Sequence, residues 1–225
     1  MMINNKMSIL EPELNIGYDN NYYQYEYNFE FDDKVYYTKI NQNLASGLLE
    51  GFGILMESSD QSTRFDYGNL EHGYYINDSL EKMYIEDIKS FFIKHLSNIT
   101  GRIIIDIDFL YENANDIWVN YQKKHEHNPS HSHGGLYSFV WYLDIPKEIM
   151  EENESQGNFR TSGLIQFSSK RTSDTMTFNP KTNDSFIFRS DHRHQVYPFY
   201  TDNTRVSMAG NIHSITFEDG ETITA

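Results

Sequence analysis

The chain has 225 residues, enough for one domain with a sizeable core and too few for two independent ones. With 38% hydrophobic and 23% charged residues its composition is neither disordered nor membrane-spanning, since a spanning helix needs roughly 18 or more consecutive apolar residues. The balance of 18 Lys+Arg against 33 Asp+Glu gives a formal charge of -15, which repels phosphate backbones and anionic membranes and argues against nucleic-acid and membrane partners. A local basic pocket can still hold a small anion.

There is no Cys, so a disulfide framework and thiolate metal sites are excluded, and any transition metal must be held by His, Asp or Glu. Residues 1–15 carry Asn, Lys and Glu where a secretory peptide needs an apolar core, so the expected compartment is intracellular, the cytoplasm. Aromatic residues reach 15%, with 17 Tyr and 15 Phe, a bias toward half-buried strands.

Along the chain, residues 22–31 alternate aromatic with polar side chains, the period of a strand with one buried face. A short helix is expected over 43–50. Asn77-Asp78-Ser79 offers a cap, and Leu80, Met83, Tyr84, Ile88, Phe91, Phe92 and His95 follow at spacings of three and four, so 80–96 reads as an amphipathic helix that Gly101 ends. From Ile103 the texture changes to short β-type runs at 103–111, 117–121, 136–143, 163–167, 175–178, 185–188, 194–199 and 205–215. Eight short strands at this spacing suggest a sandwich or barrel. No GxGxxG, GxxxxGK[ST] or GxSxG is present, which removes the usual grounds for a dinucleotide, NTP or serine-hydrolase enzyme.

Six of the nine histidines fall in two groups: His125, His127, His131 and His133, then His192 and His194. In His131-Ser132-His133, residues i and i+2 of an extended chain point to the same side, so both imidazoles can reach one ion. His194 could supply a third ligand if its strand is a neighbour, and three ligands leave coordination positions open, as catalytic sites require. The bland reading is a solvated His-rich loop. Arg205 and Ser207 share one face of a late strand; a guanidinium with a hydroxyl suits bidentate carboxylate binding, while the bland reading of Arg205 is a surface strand arginine.

Taken together, Ile117-Trp118-Val119-Asn120-Tyr121, Asn128-Pro129-Ser130-His131-Ser132-His133, Ser138-Phe139-Val140-Trp141-Tyr142-Leu143-Asp144-Ile145-Pro146, Asn183-Asp184-Ser185-Phe186-Ile187-Phe188, His194-Gln195-Val196-Tyr197-Pro198 and Arg205-Val206-Ser207-Met208-Ala209-Gly210-Asn211 resemble the Fe(II)/2-oxoglutarate-dependent oxygenases. The resemblance is to the small members found in phages and marine bacteria, and it covers residues 117–211, under half of the chain.

It implies a mainly β, α+β fold: a double-stranded β-helix, or jelly roll, with N-terminal helices packed on one face. The expected layout is one domain over 1–225, in which 1–102 supply N-terminal strands and helices and 103–217 form the jelly-roll core with the metal site. It implies Fe(II) with 2-oxoglutarate as co-substrate, His131 as first ligand, His194 as distal ligand, and Arg205 with Ser207 as the clamp on the far carboxylate. His133 stands where the family usually has Asp or Glu, completing the set His131, His133, His194; a neutral imidazole there raises the charge of the iron centre by one, altering its potential and its affinity for the 2-oxoglutarate dianion.

Tyr121 and Tyr142 could hydrogen-bond 2-oxoglutarate. Glu126 is a weak candidate for the missing acid, five residues before His131 in a loop; His127 and His192 compete with His131 and His194; Asp184 ends a turn before a strand. The activity implied is hydroxylation of a small molecule or polypeptide. The alternatives are a cupin-like jelly roll that binds a metal or ligand without turnover, although Tyr137 and Ser138 stand where cupins place a Glu, and a purely structural jelly roll with incidental histidines.

Overall fold

In the computed structural model, which describes residues 9–10, 24–28, 34–57, 64–67, 70–76, 78–111, 114–155, 161–170 and 174–225, alternating aromatic segments build two facing sheets. In chain order, strands Ile9–Leu10 (β1), Gln24–Asn28 (β2) and Lys34–Lys39 (β3) precede helix Gln42–Glu57 (α1), and Arg64–Tyr67 (β4) and Leu70–Tyr75 (β5) precede helix Asp78–Thr100 (α2). Ile104–Asp108 (β6), Leu110–Tyr111 (β7), Ala114–Asn115 (β8), Ile117–Gln122 (β9), Asn128–His131 (β10) and Tyr137–Asp144 (β11) lead to helix Lys147–Ser155 (α3). The chain closes with Ile165–Ser168 (β12), Thr175–Phe178 (β13), Asp184–Arg189 (β14), Arg193–Val196 (β15), Arg205–Ile212 (β16), Ser214–Phe217 (β17) and Thr222–Thr224 (β18).

The larger sheet has the order β2-β3-β14-β11-β16-β9-β5-β4, and the smaller the order β1-β13-β12-β15-β10. Every pairing in the larger sheet is antiparallel; in the smaller one only β1 and β13 run parallel. The two sheets enclose an aromatic layer in which Tyr37, Phe186 and Phe188 of the larger meet Ile165, Phe167 and Phe178 of the smaller. This is a double-stranded β-helix.

The opposite face of the larger sheet is equally apolar, because β9, β11 and β16 send alternate residues to it, and helices cover it. On α2, Ile88, Phe91, Phe92 and Leu96 recur at helical spacing and are buried. Phe92 stacks on Trp141 at 5.3 Å between centroids, and Phe91 meets the same indole edge-on at 4.8 Å. Such pairs contribute roughly 0.5–1.5 kcal/mol each beyond area burial, and removing one ring by Phe92→Ala would cost about 3–5 kcal/mol. The helix ends where the Thr100 hydroxyl donates to the Leu96 carbonyl at 2.8 Å and Gly101 takes a left-handed φ of 67°.

The structure extends the expected helices at 80–96 and 43–50; Asn41 caps the latter through its carboxamide oxygen on the Asn43 N–H at 2.8 Å. The runs at 103–111 and 205–215 each break into two strands. His213 separates β16 from β17, and its N–H donates to the Asp108 carbonyl as the chain changes sheets. Of the run at 22–31, only 24–28 lies within the described residues, as a strand against β3. Strands β3 and β5 carry the larger sheet beyond the late strands: β3 pairs with β14 and β5 with β9. No helix among the described residues is long and apolar enough to cross a membrane.

Candidate metal centre

Strands β10 and β15 are antiparallel neighbours in register, with His131 opposite His194. After β10 the chain turns back toward β11 and brings His133 to the same point. The His133 N–H donates to the Ser190 carbonyl at 2.8 Å. Gly135 adopts φ 102°, and a Cβ there would lie 3.1 Å from Ser190 Oγ and 3.2 Å from the Ile212 carbonyl oxygen, so neither the conformation nor the space suits another residue. As a result, one ring nitrogen from each of His131, His133 and His194 lies within 4.8 Å of the other two. A first-row transition-metal ion can bridge that separation after small ring rotations.

Both strand histidines are oriented by carbonyls. His131 Nδ1–H donates to the Pro129 carbonyl at 2.6 Å and His194 Nδ1–H to the His192 carbonyl at 3.1 Å, which fixes the tautomer and leaves Nε2 with its lone pair. Asn128 Nδ2 lies 3.5 Å from His131 Nε2. Burial lowers the pKa of all three rings, that of His133 to about 4 and that of His194 well below its ordinary value, and repulsion between the protonated rings adds to this for His133 and His194. At neutral pH all three are therefore uncharged imidazoles, the form that binds metals. Among the described residues no carboxylate joins the group.

At the floor of the adjoining cavity, Arg205 is buried to 2% exposure. Its guanidinium donates to the Gly163 carbonyl and to Gln122 Oε1, and it sits 5.3 Å from the centroid of the Tyr142 ring. Both acceptors are neutral: among the described residues no carboxylate pairs with it. Burial accordingly lowers its pKa. Arg205 Nε and the Tyr142 hydroxyl are both buried without a hydrogen-bond partner among the described residues, and leaving such groups unsatisfied costs about 1–3 kcal/mol each. A buried cation with spare donors beside three neutral imidazoles fits a metal ion together with a carboxylate-bearing ligand.

Gln122, which sequence reasoning missed, sets the arginine. Its Nε2 donates to the carbonyls of Glu126 at 2.6 Å and Tyr197 at 3.3 Å, so its oxygen must face Arg205. Strand alternation was the available signal, since Trp118, Asn120 and Gln122 share the face of β9 that lines the cavity. The same alternation places Tyr121 on the other face, with Ile117 and Val119 in the helix-side core and 6.0 Å from Tyr74. Tyr121 therefore does not reach the carboxylate site, a correction to its expected role, whereas Tyr142 and Ser207 do line the cavity.

Glu126 is not the missing acid: its carboxylate accepts the Lys123 N–H at 2.7 Å and closes its own loop. His192 is buried with its ring 5.7 Å from Phe167 and its carbonyl on His194 Nδ1, His125 packs on Tyr200, and neither they nor His127 belong to the group. Asp184 opens β14, where its carboxylate receives the Tyr37 hydroxyl, the Lys39 ammonium and the Lys181 N–H, each at 2.8 Å.

The cavity at Arg205 is narrow, about 50 Å³, and shares Leu70, Trp118, Asn120, Asn128 and His133 with a wider one of about 380 Å³. His133 thus lines both the narrow inner chamber, which also holds His131, His194 and Arg205, and the wider outer chamber.

Comparison with known proteins gives the same picture. Residues 116–211 match the family described as "Putative 2OG-Fe(II) oxygenase". No curated protein matches the sequence. Among solved structures, the chain is similar to a Pseudomonas putida prolyl-4-hydroxylase (11% identity, 80% of this chain and 92% of that one, TM-score 0.52). It is also similar to SnoN, a non-heme alpha-ketoglutarate-dependent epimerase of nogalamycin biosynthesis (13% identity, 82% and 81%, TM-score 0.54). At these identities the two likenesses speak for the fold. Residues 116–211, the segment that matches the 2OG-Fe(II) oxygenase family, carry all three histidines, Gln122 and Arg205.

Proposed function

We propose that this protein is a 2OG-Fe(II) oxygenase, a hydroxylase of a small-molecule or polypeptide substrate, with His131, His133 and His194 as the iron ligands and Arg205 as the anchor of 2-oxoglutarate. The observation that carries this reading is the pairing of three neutral imidazoles with a buried guanidinium that lacks a carboxylate partner among the described residues. When bound, iron and 2-oxoglutarate would supply the chemistry by activating dioxygen, the oxidant: one oxygen atom would go to succinate as 2-oxoglutarate loses carbon dioxide, and the other into the substrate C–H bond.

The protein's share is ligation, orientation and exclusion of water. His131, His133 and His194 would hold the metal by three nitrogens and leave coordination positions for other ligands. Arg205 offers its fork to the far carboxylate, with Ser207 and the Tyr142 hydroxyl as further donors; burial pushes the Tyr142 pKa up to about 12, so it keeps its proton to give in a hydrogen bond. Gln122 holds the fork in place. Phe188, Ile165 and Val196 line the inner chamber and lower its dielectric, which strengthens the contact between guanidinium and carboxylate.

The test is release of labelled carbon dioxide from 1-labelled 2-oxoglutarate by the full-length protein with Fe(II) and ascorbate. Slow uncoupled release is expected, lost on chelation of iron and in His194→Ala. No release above the metal-free control, from a protein shown to bind iron, would overturn the enzymatic reading in favour of a metal-binding jelly roll without turnover.

A further inference from the structure

The outer chamber has a charge of its own. Asp116, just before β9, lines it together with Tyr75, Trp118, Asn211 and His213. Asn211 Nδ2 donates to Asp116 Oδ2 at 2.6 Å and His213 Nε2 to the same oxygen at 3.0 Å. Both bonds fall on Oδ2, and Oδ1 takes none from the described residues. Two neighbours thus hold the carboxylate at a fixed angle and leave one oxygen for a ligand, an arrangement a merely solvated acid does not need. Asp116 is well covered, its side chain 21% exposed, which weakens screening of its charge by water.

Beside it, Tyr75 and Trp118 meet edge to face, centroids 6.5 Å apart and planes at 71°, and form an aromatic corner. Trp118 in turn lies 5.6 Å from the His133 ring, so the corner adjoins the metal ligands. Among the described residues no Lys or Arg lines this chamber, while the inner chamber ends in Arg205. The two chambers are of opposite polarity, and two ligands entering the site would be sorted by charge.

We infer that the outer chamber binds a substrate carrying a protonated amine or guanidinium on an alkyl arm, with Asp116 as its counter-ion and Tyr75 and Trp118 as its aromatic walls. A carboxylate supplies the charge-assisted hydrogen bond, and ring faces attract a cation by roughly 0.5–2 kcal/mol according to how far it is desolvated. The alkyl arm crosses Trp118 toward His133 and brings its carbons to the metal. The inference rests on the proposed function for what happens to that arm, and stands apart from it for binding.

The test uses n-pentylamine and n-butylguanidine as probes, with 1-pentanol and hexanoate as neutral and anionic counterparts. Each is titrated into the full-length protein loaded anaerobically with Fe(II) and 2-oxoglutarate, and binding is read by ligand-observed NMR and tryptophan fluorescence. The two cations should bind at least about tenfold more tightly than either counterpart. Asp116→Asn should erase that preference, and Tyr75→Leu should weaken the cations several-fold without changing 1-pentanol. Equal binding of all four probes, or an undiminished preference in Asp116→Asn, would overturn the inference; if Asp116→Asn does not fold, Tyr75→Leu decides by the same criterion. Cation binding by a protein that takes up neither iron nor 2-oxoglutarate upholds the chamber and sinks the oxygenase reading; uptake of both without a preference for cations sinks the chamber alone.

Discussion

His131 and His194 are register partners across the β10–β15 ladder, their rings 4.3 Å apart, although 63 positions separate them in sequence. Backbone pairing, not a flexible loop, sets that distance, so two of the three proposed ligands are pre-organised before any ion arrives.

His194→Ala should therefore weaken Fe(II) binding by at least about tenfold, 1.4 kcal/mol, while His192→Ala keeps the metal. Isothermal titration under argon distinguishes them; equal iron affinity in His194→Ala and wild type would remove His194 from the site.

His133→Asp should retain Fe(II), because a carboxylate at that position can also ligate, yet bind 2-oxoglutarate more weakly, since the centre then carries one positive charge less. Loss of metal binding by a folded His133→Asp would mean that position 133 cannot take an acid's place in the ligand set.

Gln122 holds the Arg205 guanidinium, the proposed anchor of the co-substrate. Gln122→Leu should raise the KM for 2-oxoglutarate by roughly tenfold with a smaller change in kcat, and Gln122→Glu should weaken 2-oxoglutarate further by offering Arg205 a competing carboxylate. Fe(II) titration of both variants should match wild type. An unchanged KM in both would reduce Gln122 to a structural role.

Stability should fall on acidification through His95. The ring is fully buried against Phe91, and burial lowers its pKa to about 4, against an ordinary value of 6.5. Between those values the unfolded chain holds a proton that the folded one excludes, so the stability present above pH 6.5 declines as pH falls toward 4, by on the order of 3 kcal/mol in full. Urea midpoints from pH 7.5 to 4.5 measure this, and His95→Leu should flatten the slope over that range.

The parts of this molecule legible in its sequence are those carried by short-range pattern: the 3.6-residue spacing from Leu80 to His95 marks α2, and the two-residue spacing of His131 and His133 marks two members of the histidine cluster. Strand β3 was missed because Val-Tyr-Tyr-Thr, buried on both faces between β2 and β14, does not alternate. Tyr121 was misplaced for the opposite reason: the alternation was present in Ile117-Trp118-Val119-Asn120-Tyr121-Gln122 but was not applied to it, and it assigns Tyr121 to the core and Gln122 to the cavity. That Gln122 would meet Arg205, 83 positions away, or that Asp116 would share a chamber with Tyr75 and His213, depends on the register of β9 against β5 and β16, which local pattern does not encode.

In the proposed function, metal and 2-oxoglutarate occupy one site between the three histidines and Arg205. Anaerobic addition of Fe(II) and then 2-oxoglutarate to the apo-protein, followed by visible absorption, tests it most directly. A weak charge-transfer band should appear that needs both components and disappears in Arg205→Ala while iron binding persists. A protein that binds Fe(II) with no band, or whose band survives Arg205→Ala at unchanged 2-oxoglutarate affinity, would contradict it.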